Sequence, residues 1–92
     1  MKKKRKIQIQ ESKRCYVCGD TNVELHHMME QKKLAEEDGL VIWLCPMHHR
    51  ISNNSAHLNK EFREELHRMA QRQYLKHHQV SEWMARYGKN YI

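Results

Sequence analysis

Three cysteines are too few, and of the wrong parity, for a framework of paired disulfides. No apolar run approaches the roughly 18 residues of a membrane-spanning helix. The start is basic but lacks the apolar stretch of a secretory signal. These absences set the expectation of a protein in a reducing cytoplasm, away from any membrane. Acidic residues are nearly missing from residues 1–14, which carry seven Lys/Arg against Glu11 alone. The net charge of +6 therefore belongs to that stretch, and the rest of the chain is balanced. Glycine occurs three times and proline once, so each marks a place where the backbone changes course. Ninety-two residues make one domain with a thin core, a size at which a bound metal often supplies missing stability.

Residues 1–14 read as a basic tail and 15–92 as a single domain, with a core over about 15–58 and helices over about 59–88. Lys2, Lys3, Lys4, Arg5, Lys6, Lys13 and Arg14, with Arg50 further on, are the expected contacts to a phosphate backbone. The plain alternative for the tail is a solvated start. Ile7-Gln8-Ile9-Gln10 alternates at the strand period. Val23–His27 alternates too and reads as a strand delivering two histidines. Met28–Asp38 is polar, a loop or a short helix, stopped by Gly39. Leu40–Leu44 is a continuous run of strand formers. Pro46 suits the first turn of a helix running from Met47 to about Asn53. Asn59 caps a longer helix to about Gln79, with Phe62, Leu66, Met69 and Tyr74 at helical spacing. Ser81 caps a last helix, Glu82–Tyr87, which Gly88 stops; Trp83 and Met84 are expected on the core.

Chemistry concentrates in two separated clusters. Cys15-x-x-Cys18 and Cys45-x-x-His48 are two halves of a tetrahedral zinc site, separated by 26 residues. The competing reading is a set of buried thiols. Gly19 gives the backbone freedom that wrapping a metal needs. His26 and His27 are neighbours on a strand and point to opposite faces, so one can hold a metal while the other handles a proton. The plain alternative is a pair of surface residues. His49 faces away from His48 on a helix and can complete a second metal site with His26. Asn53, four residues on, shares its face, and His57 follows beyond the Asn-Asn-Ser break. Each also reads plainly, Asn53 as a helix-ending residue and His57 as a surface histidine. His67, His77 and His78 read as surface residues of the long helix.

The set Cys15-x2-Cys18, Leu25-His26-His27-Met28 and Leu44-Cys45-x2-His48-His49 resembles the HNH endonuclease family, and more narrowly its small bacteriophage and prophage members. The stretch Tyr87-Gly88-Lys89-Asn90-Tyr91 extends the likeness. The resemblance implies an α+β chain with a small ββα-metal (His-Me finger) fold, a structural zinc and additional helices after the core. It implies a hydrolase that cuts DNA phosphodiester bonds in the cytoplasm of a bacterial host, beside phage packaging or recombination partners. Carried over, His27 stands at the general base. His26 and His49 stand at ligands of a catalytic divalent ion (Mg2+, Mn2+, Ni2+ or Zn2+), and Asn53 at a further ligand that some members use; His57 is the alternative further ligand from its place in the chain. Cys15, Cys18, Cys45 and His48 stand at the structural zinc. One element is missing: the family's asparagine before the second strand has no counterpart in Glu36-Glu37-Asp38-Gly39-Leu40, where Asp38 is the candidate substitute. That gap keeps open an alternative, a zinc-stabilised DNA-binding or interaction module without catalysis.

Overall fold

The computed structural model describes residues 9–92. It is a small α+β chain. A two-stranded antiparallel sheet pairs β1 (Glu24–His27) with β2 (Val41–Leu44). Helix α1 (Lys32–Asp38) bridges the strands; a π-helical turn (Met47–Ile51), α2 (Lys60–Tyr74) and α3 (Val80–Tyr87) follow.

Two strands alone are marginal in water, so this sheet depends on what covers it. Leu40, Ile42 and Leu44 are fully buried and join Met28, Met29, Leu66, Ala70 and Trp83 in one core. The register sets His26 opposite Ile42 and His27 opposite Val41. His26 is buried and His27 half-buried at the end of β1.

Gly39 turns the chain back with φ +72, a left-handed conformation that costs other residues a steric penalty. The Gly39 N–H bonds to Glu36 O at 3.2 Å and the Leu40 N–H to Ala35 O at 2.8 Å, closing α1 and leading directly into β2. Asp38 then ties α1 to α3. Its carboxylate accepts from Arg86 Nε at 2.9 Å and from the Tyr87 hydroxyl at 2.6 Å.

Several expected boundaries move. The helix after Pro46 is a π turn. The Ser52 N–H reaches Met47 O, five residues back, at 3.1 Å, and the turn stops at Ile51, before Asn53. Helix α2 ends at Tyr74 instead of Gln79, so His77 and His78 lie beyond it; both are exposed, and His78 stacks on Tyr74 at 4.1 Å. Asn59 caps α2 as expected, its side chain accepting from the Phe62 N–H at 2.8 Å. Helix α3 begins at Val80; the Gln79 N–H bonds to Glu82 Oε1 at 2.7 Å, which gives Gln79 the capping place expected of Ser81. Trp83 is buried, but Met84 faces solvent.

Of the alternating Ile7–Gln10 stretch, Ile7 and Gln8 lie outside the described residues. Ile9 packs on the core without forming a strand. Gln10 acts through its side chain, accepting the Trp43 N–H of β2 at 2.6 Å.

Candidate metal centres

Both centres are built from the hairpin and the π turn. The first gathers Cys15 and Cys18 from the loop before β1, Cys45 from the end of β2 and His48 from the π turn. Their ligand atoms all lie within 4.8 Å of one another. Zinc holds thiolate sulfur at about 2.3 Å and imidazole nitrogen at about 2.0 Å, so a tetrahedral site has edges of about 3.8 Å (S to S) and 3.5 Å (S to N). The Cys18–Cys45 sulfur separation is 3.8 Å; His48 Nδ1 stands 3.6 Å from the Cys15 sulfur and 3.2 Å from that of Cys45. The donor set and its spacing are compatible with a structural zinc.

The loop makes this geometry locally. Gly19, at φ +80, lets the chain fold back so that its N–H meets Cys15 O at 2.9 Å. The Val17 N–H points at the Cys15 sulfur at 3.4 Å. Burial opposes ionisation of Cys15, but backbone donors from Cys45, Cys18 and Val17 outweigh it and bring the thiol down to about 6. Cys18 behaves differently. A backbone donor at Asp20 favours its thiolate, but burial and the neighbouring Cys15 and Cys45 raise it overall. A cation shared by the sulfurs removes that conflict.

The second centre gathers His26, His49 and His57. The His49 and His57 Nε2 atoms are 3.1 Å apart. Two nitrogens on one ion, each at about 2.1 Å, are separated by about 3.0 Å at a right angle and about 3.4 Å at the tetrahedral angle, which brackets this value. The His26 ring meets His49 and His57 edge-on, with centroids 5.2 and 5.4 Å apart. His26 is buried, and burial holds it well below its ordinary value, to about 3, with His49 and His57 adding to the effect. Desolvation lowers His57 too, with His49 beside it. Neutral imidazole is the form that binds metal.

Two carboxylates fix the orientation of the histidines. Glu24 Oε1 lies 2.7 Å from His49 Nδ1. An ionised carboxylate only accepts, so Nδ1 carries the proton and Nε2 presents its lone pair to the cluster. Glu24 stays ionised because Arg50 and His49 both donate to it; they hold its carboxyl down to about 2. Arg50, expected at a phosphate, is thus engaged at 3.0 and 2.8 Å by Glu24. In the same way Glu36 Oε2 accepts from His27 Nε2 at 2.7 Å, leaving the lone pair of His27 on Nδ1.

A cleft of about 510 Å³ opens over this second centre and is lined by His26, His27, His49, His57, Arg63 and His67 among others. His57 reaches it because its backbone N–H bonds to His49 O at 3.1 Å, folding the loop back onto the π turn. Asn53 sits on the exposed turn between them, so the shared helix face expected for it does not form. His67, expected at the surface, is 7% exposed, because α2 turns it inward beside the buried Leu66 and Ala70. Lys13 lies over the Trp43 ring at 5.0 Å, and Arg14 donates to Gly19 O at 3.3 Å. Lys2, Lys3, Lys4, Arg5 and Lys6 lie outside the described residues. Among the described residues no helix is long and apolar enough to cross a membrane.

No protein-family profile, curated protein or solved structure matches this chain.

Proposed function

We propose that this protein is a small metal-dependent DNA endonuclease of the HNH type, with a structural zinc on Cys15, Cys18, Cys45 and His48. The observation that carries this reading is the convergence of His26, His49 and His57 beside His27 in one open cleft. Structural zinc sites fill all four positions with protein ligands, whereas catalytic sites offer three and leave room for substrate. The first cluster supplies four donors and the second supplies three.

A divalent ion held by His26, His49 and His57 would stabilise negative charge on the phosphoryl and leaving oxygens. His27 takes the proton that water loses as the water oxygen bonds to phosphorus and the bond to the leaving oxygen breaks. Glu36 orients that imidazole and favours the imidazolium that forms. Glu24 does the corresponding work for His49 by fixing its tautomer. The basic residues of 1–14 hold the phosphate backbone without reading sequence.

The second reading, a DNA-binding or interaction module without catalysis, is favoured by one observation. Asp38, the candidate substitute for the missing asparagine, is engaged by Arg86 and Tyr87. A plasmid assay separates the two. Nicking in Mg2+, Mn2+ or Ni2+ by the wild type and its loss in His27→Ala support the enzyme. Binding without cleavage in every metal rejects it.

A further inference from the structure

Segment 88–92 is fastened to α2 by buried polar groups. The side chain of Gln71, 1% exposed, donates to Asn90 Oδ1 at 2.8 Å and accepts the Tyr91 N–H at 2.7 Å. The indole N–H of buried Trp83 donates to Lys89 O at 2.8 Å. Held there, the segment forms one wall of a second cleft, of about 480 Å³, whose other wall is α2. Lys60, Arg63, Arg68 and Lys89 line it against two carboxylates, Glu30 and Glu64. Lys60 and Glu64 lie 4.0 Å apart and offset one another.

This cleft continues the histidine cleft, since Glu30, Arg63 and His67 line both. Arg63 is held at the junction by bonds from Nη1 to Ala56 O and His57 O, at 3.3 and 3.1 Å. A guanidinium anchored by one nitrogen keeps its other donors for a pair of phosphate oxygens. His67 lies between the two clefts and lines both. Its Nδ1 is the one buried side-chain nitrogen or oxygen among the described residues without a hydrogen-bond partner. Tyr91 offers a ring beside it, with centroids 4.7 Å apart.

We propose that the cleft between α2 and segment 88–92 is a second binding site for a nucleic-acid phosphodiester backbone, with Arg63, Arg68 and Lys89 as its contacts. It places the strand that enters the histidine site. The choice of a phosphodiester as ligand rests on the reading of that histidine site.

The test uses the full, zinc-loaded chain and a fluorescent DNA oligonucleotide, without added divalent metal. Arg68→Ala/Lys89→Ala is compared with Arg72→Ala/Lys76→Ala, which removes the same charge at exposed positions not lining the cleft. Each lost phosphate contact lowers the slope of log affinity against log salt by about 0.9 on duplex DNA. The cleft variant is expected to lose about 2 from that slope, and on the order of tenfold or more in affinity at 0.1 M salt. The control pair is expected to change far less. Equal slopes for the two variants overturn the proposal. Backbone amide shifts in the wild type give a reading that needs no variant. The oligonucleotide is expected to move Arg68 and Lys89, and their staying fixed overturns the site. Inorganic phosphate moving them while the oligonucleotide does not overturns it as well. A protein that binds through this cleft but never cuts refutes the nuclease reading alone; normal cutting with unaltered binding refutes the cleft alone.

Discussion

The two candidate metal centres share the hairpin and the π turn but are furnished differently. Cys15, Cys18, Cys45 and His48 gather four donors at spacings compatible with a tetrahedral site, and backbone donors already favour a thiolate at Cys15. His26, His49 and His57 form a partial set that faces a cleft, with carboxylates behind His49 and His27. A four-donor set suits a structural metal and a three-donor set a catalytic one, which is the division proposed here. Cys45, His48 and His49 lie within five residues, so the chain separates the tasks by angle around one turn rather than by distance. The π turn fixes that angle, and wide turns of this kind often occur at functional sites.

That contrast is most exposed at Cys45. Cys45→Ser should release the metal and unfold the domain, since apparent zinc binding in small domains is worth about 10–16 kcal/mol near pH 7. His57→Ala should leave far-UV circular dichroism and zinc content unchanged, because His57 is exposed and belongs only to the second set. Equal unfolding by both variants would erase the distinction. Next in size, His27→Ala should reduce cleavage by about 10²–10⁴-fold while zinc stays bound. Glu24→Ala frees the His49 tautomer, and calorimetric titration should show metal affinity at the histidine centre falling about 10–100-fold. An unchanged affinity would remove Glu24 from the site.

The last prediction concerns acid and is read as a slope against pH. Burial holds His26 at about 3, below its ordinary 6.5. The unfolded chain therefore takes up that proton first, so this group favours folding fully above pH 6.5 and progressively less as pH falls towards 3. Wild type compared with His26→Gln in urea should show a difference that changes by up to about 1.4 kcal/mol per pH unit across that window. A flat difference would show that His26 is not desolvated.

The Cys3His cluster was the most legible part of the chain, because its spacings are local and few other structures require them. The strands were legible from Leu40–Leu44 and from the alternation ending at His27. His57 was a candidate ligand whose direction the sequence left open. His57 lies eight residues beyond His49, past an Asn-Asn-Ser break, and only its backbone bond to His49 O reunites them. Glu24 and Glu36 read as ordinary polar positions; their roles follow from a register and a helix start that no motif records. His67 was missed because the inner stripe of α2 contains two polar residues, His67 and Gln71, where a hydrophobic pattern looks for apolar ones. The position of His67 four residues before Gln71, next to Leu66 and Ala70, was the available signal.

The division of labour between two unlike centres is tested most directly by cobalt titration of the metal-free protein, followed by absorption. The first equivalent should produce thiolate-to-cobalt charge-transfer bands from a Cys3His set. A second equivalent should bind without adding to them, and His49→Ala should abolish the second while sparing the first. One equivalent only in the wild type, or sulfur bands that grow with both, would contradict the account.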